Sequence, residues 1–262
     1  MPTPRLEAEL LLAHVLSCRR LDLYTDHDRP LDPVELSAYR KAIARRRRGE
    51  PAAYLTGVKE FWSLQIEVSA DVLVPRPETE ILVQACLDRI SGGTLLDLGT
   101  GSGCMAVALA SERDNLLVHA VDVSEPACAA ARRNVERHGL SDRVTVFEGD
   151  LYCALPTGSR YETIVTNPPY VVDAEIDTLA EEVRCEPRLA LAGGADGLEV
   201  IRRILDRAAE FLEPGGYLLI ELDPRQAETV AHELGPAALG VGGEIICDLA
   251  GRDRVVTFEL VR

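Results

Sequence analysis

Beyond residue 90 the chain alternates short apolar segments with longer stretches in which apolar residues recur at helical spacing. The short segments have the length and composition of buried strands. The predicted strands cover 94–98, 117–121, 144–147, 163–165, 217–222, 244–247 and 255–260, and the clearest helices cover 104–113, 125–138, 198–212 and 226–234. This alternation predicts an α/β domain on a doubly wound sheet, parallel for most of its strands, with helices on both faces.

The first 80 residues follow a different pattern. Apolar residues recur at helical spacing between positions 6 and 16, and a second helical stretch follows Asp32, whose side chain suits a helix N-cap. Residues 61–68 alternate as a strand, and 72–74 could pair with it before two prolines end the pairing. We therefore predict a helical domain over 1–57, a β-hairpin linker over 58–80 and the α/β domain over 81–262.

Composition and charge narrow the functional classes. The 262 residues are 47% hydrophobic, enough for a buried core, and 43 acidic against 28 basic side chains give a net charge of −15. Residues 1–80 carry 13 acidic and 12 basic side chains, whereas 81–262 carry 30 and 16. Such acidity disfavours broad binding to nucleic acid. Four arginines at 45–48 end a predicted helix, where a solvated face is the more typical role.

Targeting and metal signals are absent from the sequence. No segment has the ~18 consecutive apolar residues of a membrane span, and the first residues lack the layout of a signal peptide. We therefore expect a soluble, cytoplasmic protein. The seven cysteines are scattered without a C-x-x-C pair, which predicts reduced and mostly buried thiols. The five histidines lack the spacing of a zinc site, so no metal is expected.

A glycine-rich turn, Asp97-Leu-Gly-Thr-Gly-Ser-Gly103, joins the first predicted strand of the sheet to a helix. Glycine lets the backbone turn sharply and lets a ligand approach the amides closely. Asp122 ends the next strand, where a carboxylate can accept hydrogen bonds from both hydroxyls of a ribose. The candidate cofactor residues here are Asp97, Gly99, Thr100, Gly101, Ser102, Gly103 and Asp122.

These residues alone leave two enzyme classes open. The stretch from Gly101 to Ala106 also fits the G-x-G-x-x-A fingerprint of nicotinamide cofactors. Asp97, however, would repel a pyrophosphate but attract the amino group of a methionine moiety, which favours S-adenosyl-L-methionine. Asp150 could then accept a hydrogen bond from the adenine amino group while Leu151 packs on the ring. An aspartate in such a loop also commonly caps a turn.

The fourth predicted strand is followed by Asn167-Pro-Pro-Tyr170, in which two prolines forbid a helix. Ligands of open α/β sheets bind at this edge. Neither Pro168 nor Pro169 has a backbone N–H, so the Pro168 carbonyl and the Asn167 side-chain oxygen can both accept from one planar NH2 group. The segment therefore predicts a site for an amide or an exocyclic amine, although it could be only a turn with an exposed tyrosine.

The sequence resembles the HemK/PrmC family, methyltransferases that modify a glutamine side-chain nitrogen in peptide chain release factors. The resemblance runs through nearly the whole chain and includes the segment Val74-Pro-Arg-Pro-Glu-Thr-Glu80, more specific than the glycine turn. The other matching segments are Glu50-Pro-Ala-Ala-Tyr-Leu-Thr-Gly57, Glu60-Phe-Trp62, 97–103, Asp122, 167–170, Glu186-Pro187, Gly193-Gly194, Gly197-Leu198 and Asp253-Arg254.

The resemblance implies a helical substrate-docking domain, a hairpin, and a seven-stranded Rossmann-like class I methyltransferase sheet with one antiparallel strand near its edge. It also implies S-adenosyl-L-methionine as cofactor and class I release factors as protein substrates. Asn167 and the Pro168 carbonyl would orient the substrate glutamine, and Tyr170 would pack against it. Phe61 and residues 76–80 would line the cleft, with linker packing an equally good interpretation.

The chain departs from the family pattern at three places. The family has a helix ahead of the position of Pro4 that this sequence does not contain, Leu151 stands where many members have tryptophan, and Asp223 replaces a glycine. Three other functions also fit the motifs: glutamine methylation of a ribosomal protein, adenine-N6 methylation of DNA, and cofactor binding by a non-catalytic regulator. The acidic catalytic half disfavours the DNA substrate, and the intact acceptor motif disfavours the regulator.

Overall fold

The structure, a computed structural model, describes residues 4–260, so the outermost residues of the first and last predicted domains lie outside it. The N-terminal part is helical. Helix α3 begins as predicted at Asp32, whose carboxylate accepts from the backbone N–H of Val34 and Glu35, while the Glu35 side chain accepts from the Asp32 N–H. This capping box fixes the start of the helix. The helices are α1 (Pro4–Val15), α2 (Asp22–Thr25), α3 (Pro33–Arg46) and α4 (Ala52–Thr56).

A β-hairpin of β1 (Val58–Phe61) and β2 (Leu64–Glu67) follows. Its turn residues, Trp62 and Ser63, have φ of 52° and 59°, as a two-residue hairpin turn requires. The prediction of one strand over 61–68 paired with 72–74 is therefore wrong, because the chain reverses inside that stretch. Trp-Ser lacks the Asn-Gly type of signal that marks such turns.

The hairpin is held firmly against the α/β part. Asn134 accepts from the Glu67 backbone N–H at 2.7 Å and donates to the Glu67 carbonyl at 2.9 Å and the Ser102 carbonyl at 2.8 Å. One buried side chain thus joins the hairpin to the glycine turn. The hydrophobic cluster on that face of the sheet includes Phe61 and Ile66 of the hairpin.

The main sheet has seven strands in the order β5-β4-β3-β6-β7-β9-β8. All neighbouring strands are parallel except that β9 runs antiparallel to both β7 and β8. This confirms the predicted seven-stranded sheet with one antiparallel strand next to its edge. The strands are β3 (Gly93–Leu98), β4 (Leu116–Asp122), β5 (Val144–Glu148), β6 (Tyr161–Thr166), β7 (Leu212–Glu221), β8 (Glu244–Cys247) and β9 (Asp253–Glu259).

Helices cover both faces of this sheet, and the sheet separates two hydrophobic clusters. The predicted helix over 226–234 is instead broken: α10 leads into a π-helical turn, Val230–Leu234, just ahead of Pro236, which lacks the N–H that a regular helix needs. Helix α5, at the end of the linker, was not predicted. The helices are α5 (Thr79–Leu87), α6 (Cys104–Glu112), α7 (Glu125–Arg137), α8 (Glu181–Arg184), α9 (Glu199–Phe211), α10 (Ala227–Thr229) and α11 (Gly235–Leu239).

Two surface expectations need correction. Arg46, in the arginine run, is buried: its guanidinium pairs with Glu7 of α1 and with Glu182 of α8, so it ties the helical part to the α/β part. All seven cysteines are free, but Cys153, Cys185 and Cys247 are exposed rather than buried. Within residues 4–260, no helix combines the length and the apolar character needed to cross a membrane.

Candidate active site

A cavity of about 330 Å³ opens at the carboxyl ends of β3, β4 and β6. The carboxyl ends of parallel strands are the expected place for a ligand in this fold. Eight predicted site residues line the cavity: Gly99, Gly101, Asp122, Asp150, Leu151, Asn167, Pro168 and Pro169. Predicted residues from position 99 to position 169 are thus brought to one cavity, but they are eight of its 24 lining residues.

The glycine turn leaves room at the cavity and packs tightly on its other side. Gly99 and Gly101 have φ of +71° and +55°, and a Cβ added at either would meet nothing within 4 Å. Gly103 has φ of +77°, and a Cβ there would lie 3.1 Å from the Ala131 Cα on α7. The first two glycines therefore open backbone to a ligand, whereas the third allows helix packing.

Asp122 is fixed by backbone donors. Its Oδ2 accepts from the Gly101 N–H at 2.8 Å and its Oδ1 from the Ser124 N–H at 2.9 Å. Burial raises the pKa of the Asp122 carboxyl, and these two bonds oppose the rise. Because each carboxylate oxygen has a second lone pair, the side chain can still accept two hydrogen bonds from a ligand.

Asp97 lies buried at the end of β3, behind the glycine turn and off the cavity wall. Its Oδ2 accepts from the Thr100 hydroxyl at 2.6 Å, and its Oδ1 has no partner within the described part of the chain. Burial raises the pKa of Asp97 to about 7. A buried, unpaired carboxylate oxygen favours a cationic donor, which fits the amino group of a methionine moiety.

Asp150 and Leu151 lie on the wall near α9. Asp150 stands at the N-cap position of the 3₁₀ turn Leu151–Ala154, but its side chain makes no cap hydrogen bond and pairs with the Arg203 guanidinium at 2.5 Å. The capping alternative is therefore wrong. Leu151 has φ of +49° and begins a 3₁₀ turn, Leu151–Ala154. Leu151 gives this part of the cavity an aliphatic side chain.

The Asn-Pro-Pro-Tyr segment divides its residues between the cavity and the core. Asn167, Pro168 and Pro169 line the cavity, while Tyr170 lies off its wall and packs against the second hydrophobic cluster. Burial raises the pKa of Tyr170 well above its ordinary value. Tyr170 is therefore placed to support the loop from behind.

Asp223 has a structural role at the start of a short turn. It begins a 3₁₀ turn, Pro224–Gln226, through a capping box with Gln226. Gln226 then donates to the carbonyl oxygens of Tyr170 and Gly197, both at 3.1 Å. The aspartate thus helps to orient the amide that holds the loop after Pro169.

Phe61 is not brought to the cavity. Its side chain is 1% exposed and belongs to the hydrophobic cluster that contains Ile66 and Val72. The expectation that Phe61 contacts the substrate is therefore wrong, and the alternative of linker packing describes its position. Phe61 is an aromatic residue in a stretch that alternates apolar and polar positions, a pattern typical of a strand with one buried face. The sequence therefore did contain a signal that this side chain is buried.

Sequence reasoning missed the contacts that the 74–80 segment makes with the site. The Arg76 guanidinium pairs with the buried Glu186 at 2.6 Å, and Glu186 also accepts from the Val74 N–H at 3.3 Å. Thr79 begins α5 and accepts from the Asn167 side-chain amide at 3.1 Å. The specificity of this segment was visible in the sequence, but the partners are about 90 to 110 positions away.

The models of two protein families match the chain: the PrmC N-terminal domain over residues 1–57 and the methyltransferase small domain over residues 77–196. A release factor glutamine methyltransferase of Rhodopirellula baltica is 42% identical over 268 residues, which covers 98% of this chain and 90% of that relative. One of Geobacter sulfurreducens is 48% identical over 229 residues, which covers 86% of this chain and 79% of that relative.

The fold is similar to that of solved methyltransferases. A methyltransferase of Pyrococcus furiosus superposes with a TM-score of 0.60 at 23% identity and covers 85% of this chain and 99% of its own. An rRNA methyltransferase of T. thermophilus, solved with AdoMet and guanosine, superposes with a TM-score of 0.57 at 19% identity. The match covers 78% of this chain and 50% of that methyltransferase. At these identities the likeness shows the fold.

Proposed function

Because the chain belongs to the release factor glutamine methyltransferases, we propose that it methylates the side-chain nitrogen, N5, of a glutamine in class I peptide chain release factors. S-adenosyl-L-methionine is the cofactor. Asn167 and Pro168 line the same cavity as Gly101 and Asp122, which supports a site for an amide substrate beside the cofactor.

The cofactor would be held by residues of β3, β4 and the turns that follow them. Asp122 would accept from the ribose hydroxyls, Asp97 would attract the amino group, and Asp150 and Leu151 would contact the adenine. When bound, S-adenosylmethionine supplies an electrophilic methyl group on a positively charged sulfur. The unpaired oxygen of Asp97 fits the positively charged amino group of this cofactor, and the open space beside Gly99 and Gly101 lets the cofactor approach the backbone.

The work left to the protein is to position a weak nucleophile. A carboxamide nitrogen is unreactive because its lone pair is delocalised into the carbonyl. Asn167 Oδ1 and the Pro168 carbonyl would each accept one N–H of the glutamine and hold its nitrogen toward the methyl group. Such positioning can lower a barrier by ~7–11 kcal/mol. Two acceptors would also stabilise the positive charge that develops on the nitrogen as the N–C bond forms and the methyl–sulfur bond breaks, which leaves a neutral thioether. The methylated nitrogen would then release one N–H proton to water.

The helical part, residues 1–57, would dock the release factor. Its orientation is fixed by the buried Arg46, which pairs with Glu7 and Glu182. Glu182 is followed closely by Glu186, which holds Arg76 and Val74 of the linker. The docking part and the cavity are thus connected through one short segment. Since release factors act in translation, we propose that the protein acts in the cytoplasm.

A methyl-transfer assay with a tritiated cofactor tests this function when a purified release factor, ribosomal protein and duplex DNA are offered side by side. We expect label on the release factor alone. Label on a glutamine of the ribosomal protein or on adenine in the DNA would show that this molecule, and not the release factor, is the substrate. Cofactor binding with no label on any of the three would support a non-catalytic regulator.

Replacing Phe61 with alanine separates packing from substrate contact. Loss of a fully buried phenylalanine costs about 3–5 kcal/mol of unfolding free energy. We expect the urea midpoint of unfolding to fall, while KM for the release factor is unchanged at a temperature where the variant is folded. A higher KM with unchanged stability would restore Phe61 to the substrate site.

Cofactor affinity should depend on the ionisation of Asp97, whose pKa burial raises to about 7. Below that pH the free enzyme has a neutral Asp97, so attraction to the cofactor amino group is lost, by up to about tenfold in affinity per pH unit. We expect calorimetry to show affinity rising with pH and levelling off above about 7, and Asp97→Asn to flatten the profile. The free energy of unfolding should fall as the pH rises toward about 7, because the pKa of Asp97 is higher in the folded than in the unfolded protein and its ionisation destabilises the fold. Equal affinity across this range in the wild type would contradict the role of Asp97.

A further inference from the structure

One border of the cavity contains an exposed apolar side chain that has no role in the reaction as described so far. Leu189 lies in a 3₁₀ turn, Arg188–Ala190, and lines the cavity although the residue is 60% exposed. A single exposed leucine is common on protein surfaces and by itself indicates nothing. Leu189 differs from such a residue because its segment is anchored at both ends beside the cavity.

The first anchor is Glu186, which joins the segment to the linker. Glu186 is 5% exposed, and its carboxylate accepts from the Arg76 guanidinium at 2.6 Å and from the Val74 N–H at 3.3 Å. Residues 71–73, which precede these donors, also line the cavity. Separating a buried carboxyl group from its donors costs free energy, so Glu186 holds this end of the segment in place.

The second anchor joins the segment to the acceptor loop. The Val171 N–H donates to the Leu191 carbonyl at 2.9 Å, and the Gly193 N–H donates to the Val171 carbonyl at 2.8 Å. Val171 directly follows the Asn-Pro-Pro-Tyr segment, 167–170. Residues 187–190, which we call the strap, therefore run from the linker to the acceptor loop along the border of the cavity.

These anchors favour the substrate over the cofactor as the partner of Leu189. Within residues 4–260, no hydrogen bond joins 186–193 to the glycine turn, to 122–124 or to 149–151, where the cofactor would lie. The segment just before the strap instead contacts the proposed docking part, because Glu182 pairs with Arg46. The strap thus lies between the part that would dock the release factor and the residues that would hold its glutamine.

We propose that Leu189 is a specificity-determining residue that packs against the release-factor residues next to the methylated glutamine, an inference that rests on the proposed function. A glutamine side chain reaches an acceptor inside a cavity only when the backbone that carries it lies at the cavity mouth. That backbone and its neighbouring side chains would cover Leu189, and burial of an apolar side chain favours binding. Leu189 would therefore make the substrate contact that the buried Phe61 cannot make.

Leu189→Ala tests this inference, with Leu249→Ala as its matched control. Leu249 is a fully exposed leucine between β8 and β9 and does not line the cavity. We expect Leu189→Ala to raise KM for the release factor about fivefold to twentyfold, because part of the burial of a leucine is lost. Leu189→Met keeps the apolar volume and should keep KM within about twofold of the wild-type value.

The affinity for S-adenosylmethionine, measured by calorimetry, and the urea midpoint of unfolding should not change in either alanine variant, since both leucines are exposed. An unchanged KM in Leu189→Ala, or an equal rise in Leu249→Ala, would overturn the inference. Weaker cofactor binding in Leu189→Ala would also overturn it, by placing the side chain against the cofactor. Absence of methyl transfer by the wild type would overturn the proposed function, and this inference with it.

Discussion

Asn167→Ala is expected to reduce methyl transfer to the release factor by about a hundredfold to a thousandfold, the usual effect of removing one preorganised hydrogen-bonding group from an active site. The reason is that Asn167 supplies one of two acceptors that position the glutamine nitrogen, while the Pro168 carbonyl remains. Cofactor affinity should stay near that of the wild type, because the ribose and amino groups are held by other residues. Single-turnover kinetics and calorimetry measure the two quantities separately.

The matched control is Asn115→Ala. Asn115 is exposed and precedes β4 at the opposite edge of the sheet from the cavity, so its loss should change neither quantity. If Asn167→Ala lost activity and cofactor affinity equally, Asn167 would be a cofactor or folding residue instead. Full activity in Asn167→Ala would remove it from the reaction.

Asp122→Ala is expected to act in the opposite way, by weakening the cofactor about a hundredfold. Hydrogen bonds to a charged group contribute about 1.5–3 kcal/mol each, and ~2.7 kcal/mol corresponds to a factor of 100. The change also leaves the N–H groups of Gly101 and Ser124 without their acceptor, which loosens the glycine turn. At saturating cofactor, kcat should remain close to the wild-type value.

Asp206→Ala is the control for the loss of one negative charge, since Asp206 is exposed on α9. Titration calorimetry of both variants with S-adenosylmethionine gives the comparison. Affinity that is unchanged in Asp122→Ala, or reduced equally in both variants, would contradict the ribose role of Asp122.

The sheet and the turns at its edge were predictable because local signals agree with the final packing. Buried parallel strands appear as apolar runs in the sequence. The turn at Gly99, Gly101 and Gly103 needs positive φ angles, which glycine adopts more readily than other residues. Asp32 likewise marks a helix start through a contact three residues away. Such features depend on neighbours in the sequence, so the sequence displays them.

The errors fall where contacts between distant segments decide the structure. The turn at Trp62 and Ser63 has no favourable turn residue, and the hairpin is held by Asn134 from α7. Phe61 belongs to a hydrophobic cluster that helices of the α/β part complete. Thr79 meets Asn167 across 88 positions, and no local pattern announces a single side-chain hydrogen bond of this kind.

Tandem mass spectrometry of a release factor, after incubation with the enzyme and S-adenosylmethionine, locates the transferred methyl group. We expect one added methyl group, on the side-chain nitrogen of a single glutamine, and no methylation of a release factor in which that glutamine is replaced by alanine. A methyl group on a lysine, an arginine or the chain terminus would rule out glutamine methylation, as would an unmodified release factor beside a methylated ribosomal protein or DNA.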